Sequence, residues 1–408
     1  MENMVKPEIN SPAGDYLRME IAFHYGADAV YLGGKLFNLR AGAKNFEIVE
    51  IKKAIEFAHS INKKVYVLAN IFARDDDFEQ IESFISHVAE YNPDAFIVSD
   101  LGVLSLIKRI CKVPVFISTQ ANTTNSETAK FYKDIGVKRI ILARELSFKQ
   151  IEKIKKSCDI EVEVFVHGAI CLSYSGRCYL SDYIDNRSAN RGECSHVCRR
   201  KVFFNLDDPS KGQFEIESDA RNTYVLNSAD IKLIEEIPML MDIGVDSFKI
   251  EGRIKSESYV AVTAAAYRNA IEAHNKKEQF NANFWNEELK RVNIKGYNKG
   301  FFYGEPDSGG ISDLIPPKDT KTDYLALVKD IKDDYAHILS KNQFKCNEEI
   351  FCFNGNEEYK KTKVLEIKSL KNVEMDVANP GLELLIKTDK PVKKFNILRS
   401  RGGLDKKT

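Results

Sequence analysis

From about residue 6 to residue 256 the chain alternates between short runs of β-branched and aromatic residues and longer amphipathic stretches. In those stretches apolar residues recur at three- and four-residue spacing, as at Ile48, Ile51 and Ile55, which is typical of helices. Eight strand–helix units fit a (β/α)8 barrel of the TIM type better than an open doubly wound sheet, which usually has fewer strands. The runs predicted as buried parallel strands are Glu8-Ile9-Asn10, 29–32, 65–68, 95–98, 115–117, 140–142, 162–166 and 248–250.

In a TIM-type barrel the active site lies where the strands end, and polar residues follow most of the predicted strands. Each of them has an alternative role as a helix cap, since Asn, Asp, Ser and Thr favour that position. These residues are Asn10, Asn70, Asp100, Ser118, Thr119, Gln120, Arg144, Glu145, His167, Glu251, Gly252 and Arg253.

Two regions depart from the repeat. Residues 168–224, rich in Cys, Arg, Asn and Ser, form a long insertion after the seventh predicted strand, and insertions of such length are usually functional. We predict a catalytic barrel domain over 1–280 that carries this insertion, a linker segment over 281–320 and an all-β domain over 321–408. The last region holds short strand-like runs at regular spacing, which is typical of a small β-barrel.

Because the positive and negative charges are equal in number, the net charge of the chain gives no reason to expect any particular charged partner. Lys and Arg together number 60, as do Asp and Glu, so an anion-binding surface must be local. The N-terminal stretch lacks the basic start and apolar run of an export signal, and no apolar run is long enough to span a bilayer. We therefore expect a cytoplasmic protein with no membrane partner, whose cysteines stay reduced.

Four of the eight cysteines, Cys171, Cys178, Cys194 and Cys198, lie within the predicted insertion. Four thiolates suit either tetrahedral zinc or a 4Fe-4S cluster, and the spacing matches neither a zinc ribbon nor a ferredoxin run. The alternative is a set of reduced thiols packed as small apolar groups, although the segment is too polar for a core. The other four cysteines lie in or beside apolar patterns and are predicted to be structural. They are Cys111, Cys158, Cys346 and Cys352.

The stretch from Glu163 to Ser181 closely resembles the signature of peptidase family U32, long described as collagenase-like peptidases. The C-terminal region resembles the family's C-terminal β-barrel. Further blocks similar to the family are Pro12-Ala13-Gly14, 26–31, Arg40, Asn45-Phe46, 227–230 and 244–253.

This resemblance implies a chemistry other than proteolysis. Family members with understood roles are oxygen-independent hydroxylation proteins that carry a 4Fe-4S cluster on four cysteines. They act on a tRNA wobble uridine, on a ribosomal RNA cytidine or in ubiquinone synthesis. By its length and its C-terminal barrel, the chain resembles the tRNA branch, which forms 5-hydroxyuridine at position 34 and depends on prephenate. The resemblance thus implies tRNA as the partner and, as cluster ligands, Cys171, Cys178, Cys194 and Cys198.

Within this framework we predict His167, Glu251 and Arg253 as catalytic residues at the barrel mouth. Prephenate, the co-substrate that the resemblance implies, carries two carboxylates, and guanidinium groups bind carboxylates bidentately. Arg40 and Arg144 are therefore predicted to bind it, together with Arg253. The alternative is that Arg144 pairs with Glu145 and that Arg253 pairs with Glu251.

Cations and aromatic residues beside the cysteines predict an RNA-binding surface. Cations bind phosphates, and aromatic rings stack on unpaired bases. The predicted contacts are Arg191, Arg199, Arg200 and Tyr179. Pairing of these arginines with nearby aspartates is the alternative.

Two other functions stay open, a collagenase-like peptidase and rRNA hydroxylation by the same chemistry. A peptidase needs a nucleophile with its base, or a metal with an activated water. The sequence contains neither a His-Glu-x-x-His run nor a Gly-x-Ser-x-Gly elbow, whereas Cys171 with His167 offers a Cys–His pair. A nucleophilic cysteine does not require three further thiols, but a cluster does.

Overall fold

The computed structural model describes residues 6–40, 43–171, 173–195, 197, 229–293, 296–304 and 323–402. The described residues form two compact units. The first is drawn from Met1–Phe23, Ala27–Lys255 and Lys295–Ile315, and the second from His24–Gly26, Ser256–Ile294 and Pro316–Thr408. The division falls after Lys255, inside the stretch that the sequence predicts as the barrel domain.

The first unit is a closed barrel of parallel strands with helices between them, which confirms the predicted fold class. Its strands are β1 (Glu8–Pro12), β2 (Ala29–Gly33), β3 (Lys64–Ala69), β4 (Ala95–Val98), β5 (Val115–Ile117), β6 (Arg139–Ile141), β7 (Glu161–Gly168), β8 (Asp230–Lys232) and β9 (Ser247–Ile250). The helices are α1 (Tyr16–His24), α2 (Ile48–Ser60), α3 (Phe78–Ala89), α4 (Leu101–Ile110), α5 (Ser126–Asp134), α6 (Phe148–Ser157), α7 (Leu180–Asp185) and α8 (Ile237–Asp242).

Strands β1 to β7 pair in parallel in chain order, and β9 closes the barrel by pairing in parallel with both β7 and β1. The register places Lys249 of β9 beside Asn10 on one side and Phe165 on the other. Two strands were not predicted. Strand β8 pairs antiparallel with the end of β7, and β10 (Tyr297–Asn298) pairs in parallel with β8.

Local sequence fixes several helix ends in this unit. Asp100 accepts hydrogen bonds from the N–H groups of Gly102 and Val103, so it caps α4, as the alternative interpretation of this polar residue holds. Asn62 and Asn92, just after α2 and α3, adopt left-handed conformations with φ of 55° and 53°, which Asn tolerates better than most residues.

The barrel interior is filled by aromatic and aliphatic side chains that point inward from alternate positions of the strands. They form one buried cluster: Ala29, Tyr31, Tyr66, Leu68, Ala95, Ile97, Phe116, Ile141 and Phe165. Because this layer fills the barrel, a ligand can enter only at the ends of the strands.

The second unit begins with α9 (Glu257–Lys276) and α10 (Ala282–Arg291), and α10 lies inside the predicted linker 281–320. Its strands are β11 (Tyr324–Lys332), β12 (Tyr335–Ser340), β13 (Phe344–Lys345), β14 (Glu349–Phe353), β15 (Lys360–Ser369), β16 (Val377–Ala378), β17 (Glu383–Thr388) and β18 (Ile397–Arg399). Six of them close into a barrel in the order β11-β12-β17-β15-β14-β18, which confirms the predicted all-β region. Among the described residues, no helix combines the length and apolarity needed to cross a bilayer.

Candidate active site at the barrel mouth

Two adjoining cavities open where the barrel strands end. The space free of protein atoms is about 770 Å³ at the outer cavity and about 400 Å³ at the inner cavity, and both figures include open solvent. Leu39, Arg40, Thr119, Gln120 and Arg144 line both of them. The barrel mouth is therefore the binding site expected for this fold.

Four charged side chains at the mouth, Arg40, Arg144, Glu251 and Arg253, form what we call the arginine layer, and all four line the inner cavity. An Nη atom of Arg40 lies 3.2 Å from Glu251 Oε1, and the Tyr31 hydroxyl lies 3.2 Å from Glu251 Oε2. Burial disfavours the charged carboxylate, but Arg40, Arg144 and Arg253 outweigh burial and lower the pKa of Glu251 to about 2. Glu251 is consequently an anion at neutral pH.

Arg253 has amide partners in place of a direct carboxylate contact. It donates to Asn38 Oδ1 at 2.7 Å and to Asn45 Oδ1 at 3.3 Å, and only 4% of the residue is exposed. Burial, with Arg40 nearby, lowers the pKa of Arg253 to about 10 although Glu251 opposes the change. Neutral partners orient this guanidinium without cancelling its charge.

Arg144 lies over the ring of Phe165, 4.0 Å from the ring centroid, and donates to the carbonyl oxygen of Ala169 at 2.7 Å. Its Nε is buried and has no hydrogen-bond partner among the described residues. The predicted alternative, a pair with Glu145, is not formed: the Glu145 carboxylate instead accepts from the N–H of Ser175 at 2.7 Å. Arg144 therefore keeps donor capacity for a ligand.

Below the arginine layer lies a second charged group, which we call the ionic floor: Glu8, Arg139, Glu163 and Lys249. Arg139 lies 2.6 Å from Glu8 and 3.0 Å from Glu163, and Lys249 Nζ lies 2.6 Å from Glu163. Asn10 donates to both oxygens of Glu163, at 3.1 and 3.2 Å. The floor holds two cations and two anions, whereas the arginine layer holds three cations and one anion.

Three of the predicted metal ligands, Cys171, Cys178 and Cys194, line the outer cavity. The N–H of Leu180 lies 3.3 Å from Cys178 Sγ, a donor of the kind that stabilises a thiolate. Burial disfavours the charge of Arg40, but Glu251 and then Cys171 and Cys194 outweigh burial and raise the pKa of Arg40. The fourth predicted ligand, Cys198, lies outside the described residues.

The described residues between Cys171 and Cys194, which we call the cysteine loop, fold onto the mouth through polar contacts. Ser175, at a left-handed φ of 52°, donates through its hydroxyl to Asn122 Oδ1 at 2.8 Å in addition to its contact with Glu145. Within the described ranges, no three His, Cys, Asp or Glu side chains already converge on a metal-sized position. The donor chemistry of the three cysteines fits a metal or cluster that the whole predicted set would hold, and the complete set stays a prediction.

His167 does not line either cavity. The residue is fully buried, and its Nε2 lies 3.3 Å from the hydroxyl of Tyr297, whose ring packs against the imidazole. Burial, and then Lys255 and Lys232, lower the pKa of His167 to about 3, so the imidazole is neutral at neutral pH. The backbone N–H of Glu251 donates to the carbonyl oxygen of His167 at 2.9 Å, but the imidazole does not line the cavity that Glu251 and Arg253 share.

The predicted RNA contacts divide into described and undescribed residues. Arg191 forms a two-point ion pair with Asp77, at 2.7 and 2.8 Å, and Tyr179 is 76% exposed. Arg199 and Arg200 lie outside the described residues. The partner of Arg191 is an aspartate on another loop of the barrel, not one of those in the cysteine segment.

Sequence reasoning missed several residues that shape the site, among them Tyr31, Asn38, Glu163 and Lys249. A signal for two of them was present, because Glu163 and Lys249 are charged residues inside otherwise apolar strand runs. A charge at an inward position of a buried strand must be paired or functional. Nothing in the sequence pattern marked Asn38, which lies in a loop.

Models of two families match the chain: peptidase family U32 over residues 14–312, and the peptidase family U32 C-terminal domain over residues 320–399. The chain is 35% identical over 404 residues to the tRNA hydroxylation protein P1 of Bacillus subtilis, covering 97% of this chain and 94% of that protein. It is 38% identical to the 23S rRNA 5-hydroxycytidine C2501 synthase of Escherichia coli, over 65% of this chain and 39% of that protein. A collagenase of Porphyromonas gingivalis is 34% identical over 73% of this chain and 74% of that protein.

The two family models together span both compact units, and the Bacillus relative aligns over nearly the whole chain. The predicted resemblance is therefore confirmed, and the chain belongs to peptidase family U32.

Proposed function

We propose that this protein hydroxylates RNA, forming 5-hydroxyuridine at wobble position 34 of tRNA, with a 4Fe-4S cluster and with prephenate as co-substrate. The observation that carries the proposal is that three cysteines and two arginines, Arg40 and Arg144, line one cavity at the barrel mouth. The relative that aligns over nearly the full length is named a tRNA hydroxylation protein, and the rRNA relative covers less of both chains.

Cys171, Cys178, Cys194 and Cys198 would hold the cluster. When bound, such a cluster supplies one-electron redox chemistry. The contribution of the chain is to keep that position beside the arginine layer, since Arg40 lies close enough to Cys171 and Cys194 for their charges to raise its pKa.

The charge of the inner cavity supports a dianionic co-substrate. Three guanidinium groups face one carboxylate there, which leaves a surplus of two positive charges in a buried site. Because an uncompensated buried charge is costly, a ligand with two carboxylates fits this surplus. Prephenate has that charge, and Arg144 and Arg253 have the donor capacity to bind it.

The outer rim of the cysteine loop supports an RNA substrate. Tyr174, Tyr179 and Tyr183 are 56%, 76% and 93% exposed, which is unusual for aromatic side chains, and Arg177 and Arg187 beside them are exposed as well. Exposed rings stack on unpaired bases, and arginines bind the backbone phosphates. The target uridine would leave the anticodon stack and enter the outer cavity.

A peptidase is the second candidate, favoured by the name of the Porphyromonas relative. The Cys–His pair that this function would use is Cys171 with His167. Cys171 lines the outer cavity, whereas His167 does not and has its Nε2 directed to Tyr297. A base needs to reach the nucleophile by a hydrogen bond, so this arrangement supports the peptidase less well.

The deciding experiment is mass spectrometry of tRNA nucleosides from a strain lacking the gene, complemented with wild type, Cys171→Ser or the matched control Cys346→Ser. We expect 5-hydroxyuridine-derived nucleosides with wild type and Cys346→Ser, and none with Cys171→Ser. An unchanged level in the deletion strain, with no second family member in the host, would contradict the proposal.

A second measurement tests the cluster by itself. Anaerobically purified wild type should contain about four iron atoms per chain, as expected for one 4Fe-4S cluster. Cys194→Ser should lose most of the iron, because a hard oxygen ligand suits the cluster poorly, while Cys346→Ser keeps it. One zinc and no iron in wild type would exclude the cluster.

A further inference from the structure

We infer that Lys249 forms a covalent imine with the carbonyl carbon of an α-keto acid bound in the inner cavity. The inference rests on the proposed function, because the pyruvyl arm of prephenate is such an α-keto acid. It adds a covalent step and names the residue that takes part in it.

The position of Lys249 comes from the strand geometry. Lys249 and Glu251 are two residues apart on β9 and its continuation, so both side chains point into the barrel. A strand rises about 3.3 Å per residue, which places Lys249 roughly 7 Å below Glu251. Lys249 therefore lies one layer beneath the three arginines, and it lines the floor of the cavity that they surround.

This stacking suits the two functional groups of an α-keto acid. A carboxylate held by Arg144 and Arg253 leaves the adjacent carbonyl group directed into the cavity. The cavity wall there is formed by the rings of Tyr31 and Phe165, and Lys249 Nζ lies 4.1 Å from the centroid of the Tyr31 ring. The amine is thus the nucleophile below the anion site, and it lies beside the faces of the two aromatic rings.

A proton acceptor is already in contact with the amine. Lys249 Nζ lies 2.6 Å from Glu163 Oε1, and Glu163 is itself fixed by Asn10 and Arg139. Burial lowers the pKa of Lys249 although Glu163 opposes the change, which increases the share of free amine. A desolvated lysine beside a carboxylate is a recognised arrangement for imine chemistry.

The step balances without an oxidant or a reductant. The Lys249 ammonium gives a proton to the Glu163 carboxylate, and the free amine attacks the carbonyl carbon, forming a C–N bond and a hydroxyl group. Glu163 returns its proton to that hydroxyl as the C–O bond breaks, and water leaves. The product is a protonated imine, so the ionic floor keeps its two positive and two negative charges.

The experiment is reductive trapping with sodium cyanoborohydride on the full chain, followed by intact-mass and peptide mass spectrometry. The probes are prephenate, 2-oxoglutarate and, as a control that has two carboxylates but no ketone, 2-hydroxyglutarate. With prephenate we expect one adduct equal to the mass of the ligand less one oxygen atom, located on the peptide that contains Lys249. The 2-hydroxyglutarate sample should show none.

Two variants sharpen this test. Lys249→Arg keeps the charge of the floor but cannot form an imine, so its adduct should fall to the level without ligand, while Lys130→Arg on the surface should leave the adduct unchanged. Circular dichroism checks that Lys249→Arg is folded. If that variant is not folded, the peptide map of the wild type decides the test by itself.

The outcomes separate the two proposals. If prephenate raises the melting temperature of wild type but no adduct forms on Lys249, the imine is wrong and the anion site stands. If neither a shift nor an adduct occurs, the inferred α-keto acid site is wrong as well. If the adduct forms but tRNA from the deletion strain keeps its 5-hydroxyuridine, the imine stands and the RNA function fails.

Discussion

The ionic floor and the arginine layer are two buried charge groups in one barrel, and they differ in balance. On the floor, Arg139 and Lys249 are matched by Glu8 and Glu163 within 3.0 Å. In the layer, three arginines face Glu251, the one carboxylate that lines the inner cavity among the described residues. A balanced buried network supports a unique fold, whereas an unbalanced one is completed by a ligand. Charge balance therefore assigns anion binding to the arginine layer, while the floor contributes Lys249 to the covalent step inferred above.

The largest effect is expected from Glu163→Gln, which breaks the balance of the floor. The change leaves Arg139 paired with Glu8 and Glu161 but leaves Lys249 without its carboxylate contact, and removing one partner of a buried ion pair typically costs about 3–5 kcal/mol. We expect the free energy of unfolding in urea to fall by that amount. Glu127→Gln, which removes an exposed partner of Lys130, is the matched control and should leave the free energy of unfolding nearly unchanged. Equal effects of the two variants would mean that the floor is not a cooperative network.

Glu251 provides the second prediction, through pH. Its folded pKa of about 2 lies below the ordinary 4.5, so its ionised form stabilises the fold above pH 4.5. That contribution is lost as the pH falls from 4.5 towards 2, and at about 1.4 kcal/mol per pKa unit it amounts to about 3 kcal/mol.

The measurement compares wild type with Glu251→Gln in urea unfolding across this range. The variant should be less stable by about 3 kcal/mol at neutral pH, and the difference should shrink steadily below pH 4.5. A difference that stays constant down to pH 3 would show that Glu251 is not held ionised by the arginine layer.

Much of the architecture was predictable from local pattern. Each barrel strand is buried on both sides and thus reads as a short apolar run, so all eight were found. Strands β8 and β10 were missed because neither contains an apolar run: β8 has charged residues at Asp230 and Lys232, and β10 is the pair Tyr297–Asn298 within the predicted linker.

The site was predictable in part for a similar reason. Glu251, Arg253 and Arg144 follow strands directly, so the fold alone places them at the mouth. Lys249 and Glu163 contact each other only because β7 and β9 close the barrel, 86 residues apart in the chain. Like Glu251, His167 lies at the end of a predicted strand, so the sequence places it at the barrel mouth. A register shift between Phe165 and His167, however, interrupts the alternation of β7, and the His167 side chain does not line the cavity. A bulge of this kind cannot be read from the apolar pattern.

Arg144→Met removes one of the three cations of the arginine layer and so reduces the layer's surplus of positive charge. The methionine keeps packing against Phe165, and the loss of one cation relieves repulsion with Arg40 and Arg253, so we expect the free energy of unfolding to change by less than about 1 kcal/mol. Binding should respond more strongly than folding. The thermal shift that prephenate causes in wild type should be lost, because a charged hydrogen bond contributes roughly 1.5–3 kcal/mol. A large loss of stability with unchanged prephenate binding would mean that the arginine layer stabilises the fold and does not bind the ligand.

The smallest effect is expected at Asp77, where a balanced pair lies at the protein surface. Arg191 pairs with Asp77 at two points, and the two side chains are 30% and 15% exposed, so Asp77→Asn should cost less than about 1 kcal/mol of stability. If Arg191 also contacts RNA as predicted, freeing it from Asp77 should strengthen tRNA binding at low salt.

Arg191→Gln should weaken binding and lower the slope of log affinity against log salt by about one phosphate contact. Both slopes are measured by filter binding between low and moderate salt, with iron content as the check that the cysteine loop is intact. If neither variant changes the slope, Arg191 is a structural partner of Asp77 and not an RNA contact.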